Sequence, residues 1–512
     1  MSSNARLFHI SRQYALSGLK ALEKTIFTIV QKIVLSTVLL ISATLQTHAE
    51  THHYTVQLKN DLTGLSVKAC FSRLLPSRLI SYGAPPIQLK TATLISNRVA
   101  DRNIPVNRHG IDLPPLKQGD CISYSISFKD STAHLMFKNR QSTNQQILID
   151  IHSWLLFPDN FNAEKYALDI TFQIPRGMNI STPWPVLEKN SPNHINNKSK
   201  SSITYHYTQR PEKWKGLIAI GKFKTTTLLK GAAKIQIAIL NGHEAVNSKK
   251  LMLWINKNLD ALLMAYGEFP VPALQLLVVP TGKDHEPVRW GQAMRGGGDA
   301  VHVYIDQTRS LNEFLKDWVL IHELSHLLHP RFYNASWFSE GLASYYQNVL
   351  GARSRLLTQH RAWQKLHDGF QRGIRGTSPD INLSQASESM MQTGSFMRVY
   401  WSGAAISLLA DYELRRLSNN EQSLDTALKK FRHCCLPSRS FWSDYKMIKK
   451  MDELSDTNVF SHLYQQYLTS TNFPDLSTVY SELGLRVKNN RIEFDNSLEN
   501  SAIRRSITSP EK

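Results

Sequence analysis

Two histidines and a glutamate stand at a spacing that can hold a metal ion. They are His322, Glu323 and His326, in the pattern His-Glu-x-x-His. On a helix, histidines four residues apart share one face about one turn apart, so both imidazoles can reach one zinc ion. Glu323 is rotated by about 100° from His322, so its carboxylate would reach a water beside the ion instead of the ion itself.

The sequence around this motif predicts a single helix. Ser310 and Glu313 form a capping box at its start. Apolar residues then recur at mostly helical spacing over 314–328, and Pro330 ends the run. The motif is therefore expected in the second half of one continuous helix.

A zinc ion that keeps an open position for water needs a third protein ligand. Glu340 is the candidate, because it falls early in a second predicted helix with Ser336 as its N-cap and Gly351 as its stop. Helices joined by a short loop pack antiparallel, which would return Glu340 to the histidine face. The three ligands predict one Zn²⁺ per chain.

Two nearby residues are not expected to bind the ion. His329 lies about 10 Å along the helix axis from His322, and it is interpreted as a cation near the helix C-terminus. The metzincin pattern would need a histidine at position 332, and that residue is Phe332. The predicted ligand set therefore stays at three residues.

The motif and the segment after it resemble a known peptidase family. His322 to His326, followed by Trp-Phe-Ser-Glu-Gly-Leu-Ala-Ser-Tyr at 337–345, is similar to the gluzincin metallopeptidases. The likeness is to the branch of the leukotriene-hydrolase type aminopeptidases and the PDZ-containing glycyl aminopeptidases. It implies a thermolysin-like α/β catalytic domain and a peptide or protein substrate. Thirteen residues separate His326 from Glu340, fewer than in the aminopeptidases of that clan, and the stretch after 473 is too short for a PDZ domain.

The resemblance also suggests an oxyanion donor. Tyr400 begins a Tyr-x-x-Gly segment similar to the clan's helix whose tyrosine stabilises the oxyanion. The same role is therefore implied for Tyr400, with core packing at a helix start as the alternative.

A glycine-rich edge supplies candidate substrate-binding residues. Gly296, Gly297 and Gly298 stand beside an alternating strand at 301–305, where they would let a ligand backbone approach closely. A flexible loop is the alternative. The segment resembles the clan's Gly-Ala-Met-Glu-Asn edge, whose glutamate holds the substrate's free amine. Arg295 stands in that place here and would repel an amine.

These residues predict a zinc metallopeptidase. The ion would lower the pKa of its water, Glu323 would serve as general base, and the ion together with Tyr400 would stabilise the oxyanion. Two alternatives stay open. One is a catalytically weak or inactive protein that keeps the gluzincin fold for binding or scaffolding at the cell envelope, and the other is a zinc hydrolase of a non-peptide substrate.

The chain is predicted to be an α+β multidomain protein. Its 512 residues suffice for two or three domains. Residues 50–245 alternate β-patterned runs with polar turns, which predicts a β-sandwich-like N-terminal domain. Residues 246–355 are the predicted catalytic domain, and residues 356–512 a helical C-terminal region with an extended tail.

Residues 1–49 have the layout of a signal peptide or an N-terminal anchor. Basic residues precede an apolar run at 33–45, and a small-residue cleavage site follows at 47–49. The protein is therefore expected to be exported, periplasmic or secreted, and an uncleaved segment would tether it to the membrane. The net charge of +19 comes without a nucleic-acid motif, so no nucleic-acid partner is expected.

The four cysteines divide into two pairs. Cys70 and Cys121 fall in strand-like runs, and a disulfide between them is predicted for an oxidising compartment. Cys434 and Cys435 are adjacent, and buried free thiols are the expectation for them.

Overall fold

The computed structural model describes residues 50–509 except 74, 83–88, 108, 129–145, 163–165, 191–199, 208–215, 243, 296, 439 and 498–500. The predicted signal peptide or anchor at 1–49 lies outside the described residues. None of the helices that the structure describes is both long and apolar enough to cross a membrane.

The N-terminal region is rich in β-strands, as predicted. Alternate residues of the first strand, Tyr54, Val56 and Leu58, are buried in a core that also contains Trp154. The strands form an eight-stranded sheet of order β13-β14-β11-β1-β2-β8-β4-β5, a four-stranded sheet β10-β3-β7-β6 and a three-stranded sheet β12-β15-β9. Their bounds are β1 Glu50–Leu58, β2 Gly64–Cys70, β3 Arg78–Ile80, β4 Leu89–Ile95, β5 Arg102–Ile104, β6 Val106–Asn107, β7 Gly110–Asp112, β8 Cys121–Ser127, β9 Gln146–Asp150, β10 Phe157–Pro158, β11 Tyr166–Pro175, β12 Asn179–Ser181, β13 Val186–Asn190, β14 Lys200–Tyr207 and β15 Leu217–Gly221.

Both cysteine pairs are bridged. Cys70 lies directly opposite Cys121 across β2 and β8, and the predicted disulfide between them is confirmed. Cys434 and Cys435 are joined to each other, so the expectation of two buried free thiols is wrong. The pair ends a helix, and Cys434 is exposed there, so the two residues are not in the buried position that the expectation assumed.

A separate five-stranded sheet underlies the predicted catalytic region, in the order β16-β17-β18-β20-β19. Its strands are β16 Lys224–Lys230, β17 Ala233–Ile239, β18 Ala273–Pro280, β19 Val288–Arg295 and β20 Asp299–Ile305. β17, β18 and β20 are parallel, and β19 pairs antiparallel to β20 at one edge. Because β16 and β17 belong to this sheet, the predicted domain boundary at 245 falls too late.

Helices supply the rest of the catalytic core. Helix α1 makes the crossover between the parallel strands β17 and β18, which a short turn could not span. The helices are α1 Ser248–Leu263, α2 Leu311–Lys316, α3 Val319–Ser325, α4 Ser336–Arg353, α5 Gln359–Arg375, α6 Leu383–Glu388, α7 Met390–Thr393, α8 Phe396–Leu417, α9 Leu424–Cys435, α10 Asp444–Ser455, α11 Val459–Tyr467, α12 Ser477–Glu482 and α13 Ser501–Thr508. The helical C-terminal region is confirmed at this level.

The end of the chain is folded, not extended. The predicted strand at 491–494 is present and pairs with β21 Leu485–Lys488 as β22 Arg491–Phe494. The expectation of an extended tail is wrong, because α12 and α13 flank this hairpin and Ile503 and Ile507 of α13 are buried in the main core.

Helices α4 and α8 cross in direct backbone contact. A Cβ added at Gly341 would lie 2.3 Å from the Cα of Gly403, and one added at Gly403 would lie 1.8 Å from the carbonyl oxygen of Trp337. Any larger residue at either position would force the helices apart. This crossing places the start of α4 next to the start of α8.

Candidate metal centre

The His-Glu-x-x-His motif lies on a helix that is shorter than predicted. The capping box of Ser310 and Glu313 is present, but it starts α2, which ends at Lys316. A new helix, α3, begins at Val319 after the Asp317 carboxylate accepts a hydrogen bond from the Val319 amide. The prediction of one continuous helix is therefore wrong, because a side-chain bond at Asp317 replaces a helical turn.

The two histidines keep their helical relation across this change. His322 lies in α3 and His326 begins the 3₁₀ turn that continues it to Leu328. The ring centroids are 5.0 Å apart. Both residues are buried, so the pair faces the inside of the protein and not solvent.

Glu340 completes a convergent set of donors, as the sequence predicted. Its Oε2 atom lies 3.3 Å from His322 Nε2 and 3.5 Å from His326 Nε2. One donor atom from each of these residues lies within 4.8 Å of the other two. Glu340 sits in the second turn of α4, whose N-cap is Ala335 and not the predicted Ser336, and Gly351 is buried inside the helix instead of ending it.

The outer nitrogens of the two imidazoles are also occupied. His322 Nδ1 donates to Gln347 Oε1 at 2.7 Å. His326 Nδ1 lies 3.2 Å from His329 Nε2 and 3.3 Å from Ser339 Oγ. Hydrogen bonds at Nδ1 leave Nε2 of each ring facing the centre of the set, which is the arrangement that a metal-binding histidine needs.

Sequence reasoning missed Gln347 and misread His329. Gln347 follows Glu340 by seven residues, so it shares a helix face with that residue, and this i+7 relation was the available signal. His329 is 2% exposed, and burial and the charge of Arg295 lower the pKa of its ring well below the usual value. The interpretation of His329 as a cation at a helix end is therefore wrong.

The charges of the set attract a cation. Burial alone would raise the pKa of the Glu340 carboxyl, but His326 and His322 outweigh it and hold that pKa well below its usual value. Burial would likewise lower the pKa of His322, but Glu340 and Glu323 raise it. Glu340 is thus held as the carboxylate that a bound cation needs, and the raised pKa of His322 reflects the excess of negative charge around it, which a cation at the centre would offset.

Glu323 lies beside the donor set and not within it. Burial raises the pKa of its carboxyl, while His326, His322 and, to a smaller extent, a hydrogen bond from the Ala293 amide partly offset the rise. The strand β19 approaches so closely that a Cβ on Gly291 would lie 2.5 Å from Glu323 Cγ and 2.7 Å from Val319 Cγ1. A glycine is therefore needed where the edge strand passes Glu323.

Tyr400 joins the site from α8. Its ring stacks on His322 with the centroids 6.0 Å apart, and its hydroxyl donates to the Glu340 carboxylate. Burial and the Glu340 charge raise the pKa of Tyr400 far above its usual value, so the phenol stays protonated at neutral pH. The structure thus brings Tyr400 to the predicted ligands.

These groups line a cleft of about 670 Å³ between β19 and the helices. Its walls include Trp290 and Trp318, which are both partly exposed. Arg295 also lines the cleft, but its guanidinium donates to the carbonyl oxygen of His329, and Asp299 lies opposite it on β20. Burial lowers the pKa of Arg295 to about 10 and raises that of Asp299 to about 6.

Two of the predicted substrate-binding glycines, Gly297 and Gly298, do not line this cleft. Gly297 packs so closely on Trp184 and Tyr207 of the β-rich region that an added Cβ would lie 2.6 Å from Tyr207. A Cβ on Gly298 would overlap the carbonyl oxygen of Pro183. Gly296 lies outside the described residues. Close packing between the two regions explains Gly297 and Gly298, and their role in substrate binding stays a prediction.

Comparison with known proteins agrees with this geometry. Residues 321–407 match the model of the M61 glycyl aminopeptidase family. That segment contains the three predicted ligands as well as Glu323 and Tyr400. The chain is a gluzincin-like, aminopeptidase-like enzyme.

A solved structure shares the fold of this chain. An aminopeptidase N family protein from Idiomarina loihiensis superposes with a TM-score of 0.65 at 14% identity, over 85% of this chain and 79% of that one. An M1 zinc metallopeptidase from Deinococcus radiodurans gives a TM-score of 0.48 at 16% identity, over 84% of this chain and 94% of that one. No curated protein sequence matches the chain.

Proposed function

We propose that this gluzincin-like enzyme is a zinc-dependent metallopeptidase that hydrolyses peptide bonds with Glu323 as general base. The observation that carries the proposal is the position of Glu323, which lies beside the convergent donors of His322, His326 and Glu340 in one cleft. A carboxylate there can act on a water molecule without occupying the metal site.

The donor set fits zinc. Two imidazole nitrogens and one carboxylate oxygen are ligands that zinc accepts, and three protein ligands are the number found in catalytic sites. Zinc bound there would supply Lewis-acid polarisation of a water and of the scissile carbonyl.

The protein's own groups would move the proton and stabilise charge. Glu323 would take a proton from the attacking water and pass it to the leaving amine, and its raised pKa brings it nearer to the pH at which such a base works best. Tyr400, which stays protonated, would donate a hydrogen bond to the developing oxyanion.

Arg295 bears on the class of substrate. An arginine in place of an amine-holding glutamate supports cleavage of peptides whose N-terminus is blocked. The Cys70–Cys121 disulfide supports export, because such bonds persist in oxidising compartments. We therefore infer exported peptides or proteins as substrates, with the leader at 1–49 either removed or kept as a tether.

The decisive experiment is Glu323→Gln, assayed on the best peptide found for the wild type, with zinc measured in the same sample. Zinc should be retained, and hydrolysis should fall by about 10²–10⁴-fold, the usual contribution of a general base. Glu286→Gln, another glutamate that lines the cleft, should leave the rate near that of the wild type. Unchanged activity in Glu323→Gln with zinc bound would refute the proposal.

Tyr400→Phe tests the oxyanion role separately. It removes only the hydroxyl, so zinc should stay bound and turnover should fall by about 10²–10³-fold, as for the loss of one oxyanion donor. The ring would still stack on His322, which keeps the ligand in place. A variant with wild-type turnover would assign Tyr400 to packing alone.

A further inference from the structure

A ring of three polar side chains lies behind His326, on the side away from Glu340. His326 Nδ1 is 3.2 Å from His329 Nε2, and Ser339 Oγ lies 3.3 Å from the first atom and 3.4 Å from the second. The two histidines are buried at 8% and 2% exposure. Because these polar atoms are buried, each contact between them must pair one hydrogen-bond donor with one acceptor.

The carbonyl of Pro330 decides how they are shared. His329 Nδ1 lies 2.7 Å from this oxygen, which can only accept, so Nδ1 must carry the hydrogen. In a neutral ring the Nε2 atom of His329 is then an acceptor. His326 Nδ1 must donate to it, either directly or through the Ser339 hydroxyl, and His326 Nε2 is left with its lone pair facing Glu340.

The opposite arrangement is disfavoured. A doubly protonated His329 would have no acceptor for His326, whose hydrogen would then move to Nε2 and point at the ligand set. The guanidinium of Arg295 donates to the carbonyl oxygen of His329 itself, which places a positive charge next to this ring. The contact of His329 Nδ1 with the Pro330 carbonyl therefore leaves His329 Nε2 as the acceptor for His326 Nδ1.

We propose that His329 is a positioning residue that fixes the tautomer and the ring orientation of His326. His329 would therefore act through this ligand and would not bind the ion itself. This role rests on the proposed function, because it requires His326 to be a metal ligand. Gln347 does the same for His322 with an amide oxygen, so the two ligands are oriented by acceptors of different chemistry. Such outer partners are generally worth about 10–100-fold in metal affinity.

Three substitutions of His329 in the full chain test this role. His329→Leu keeps much of the volume and removes the acceptor. His329→Gln places an amide oxygen near the position of Nε2, whereas the amide of His329→Asn reaches only the position of Nδ1. Zinc affinity is measured by competition with a chelator, and the absorption spectrum of the Co²⁺-loaded protein reports the ligand geometry.

His329→Leu and His329→Asn should lose about 10–100-fold in zinc affinity and change the cobalt spectrum, and His329→Gln should restore both most of the way to wild type. His367→Leu is the matched control. This buried histidine on α5 bonds to Tyr480 and Asn490 instead, so its loss should lower stability and leave zinc affinity unchanged.

Each outcome decides the matter. Wild-type affinity in a folded His329→Leu protein, or equal losses in the Gln and Asn variants, would overturn the role of His329 while the proposed function stands. If the Leu variant does not fold, the comparison of Gln with Asn carries the test. A wild-type chain that binds no zinc would overturn the proposed function itself, and this role with it.

Discussion

Two clusters of buried charged residues lie along helix α4, and they differ in whether their positive and negative charges cancel. Near its C-terminal end, the guanidiniums of Arg353 and Arg415 face the carboxylates of Asp411 and Asp425 at 2.7–3.4 Å. The hydroxyls of Tyr345 and Tyr346 donate to the same two carboxylates at 2.7 Å. Two positive charges meet two negative ones, and this cluster, here called the arginine network, needs no further partner.

Near the other end of α4 the balance is different. Glu340 and Glu323 are carboxylates, and the histidines between them are neutral imidazoles when they act as ligands. This donor cluster is short of positive charge, and a bound dication would supply it. A balanced buried cluster of this kind is a structural element, whereas an unbalanced one marks a site that binds a further charge.

The largest expected effect is in the donor cluster. His322→Ala or Glu340→Ala should reduce bound zinc from one per chain to none and abolish hydrolysis, because two ligands do not hold a catalytic zinc. Far-UV circular dichroism checks that each variant stays folded. Metal analysis of the purified variants checks the result, and full zinc occupancy in both would contradict the assignment.

The arginine network should behave in the reverse way. Arg353→Met leaves the carboxylate of Asp425 buried without its nearest guanidinium, which should lower the free energy of unfolding by about 3–5 kcal/mol. Zinc content in the folded fraction should not change. Urea unfolding measures the effect, with exposed Arg355→Met as the control. A loss below about 1 kcal/mol would show that the network is not structural.

Gly291→Ala tests the edge of the donor cluster, where β19 passes Glu323. The added methyl group would meet Glu323 and Val319, so Glu323 must move while the ligands stay. Misplacing a catalytic group by about 1 Å can cost about 10²-fold, and a loss of that size in turnover with zinc retained is expected. Gln292→Ala on the next residue is the control, and equal rates for the two variants would contradict this account of Gly291.

The smallest expected effect concerns Asp317, which burial brings to a pKa of about 7. Unfolded, the residue ionises near pH 4, so from about pH 4 to 7 the unfolded chain loses a proton that the folded chain keeps, and stability falls. Asp317→Asn removes this fall and can still accept the Val319 amide hydrogen bond. It should add about 1 kcal/mol at pH 8, after allowance for partial exposure, and nothing at pH 4. Urea unfolding of both proteins at pH 4 and pH 8 measures the difference. An equal gain in the free energy of unfolding at the two pH values would refute this prediction.

The sequence predicted what local patterns determine. The spacing of His322, His326 and Glu340, the capping box at Ser310 and the strand pattern of the N-terminal region all depend on neighbours along the chain, and the structure contains them. The break between α2 and α3 was not predicted, because apolar residues continue at helical spacing through Trp318. In the structure, the Val319 amide donates its hydrogen bond to the Asp317 side chain instead of to a backbone carbonyl of the preceding turn.

Other features depend on contacts between distant segments. The need for glycine at position 291 arises only when β19 passes Glu323, and the need at 297 and 298 only when the β-rich region packs there. His329 is a buried residue and not the expected cation near the helix C-terminus, and its ring contacts the Pro330 carbonyl and the Ser339 hydroxyl. Periodicity and spacing carry no information about such encounters.

The contact of Gly341 with Gly403 makes the two helices behave as one rigid body. Glu340 adjoins the first glycine, and Tyr400 precedes the second by three residues, so ligand and tyrosine cannot separate without parting two touching backbones. The opposite wall of the cleft is β19, an edge strand that pairs with β20 on one side only. If the cleft widens, we therefore expect the movement at the sheet edge, with the helices as the fixed surface.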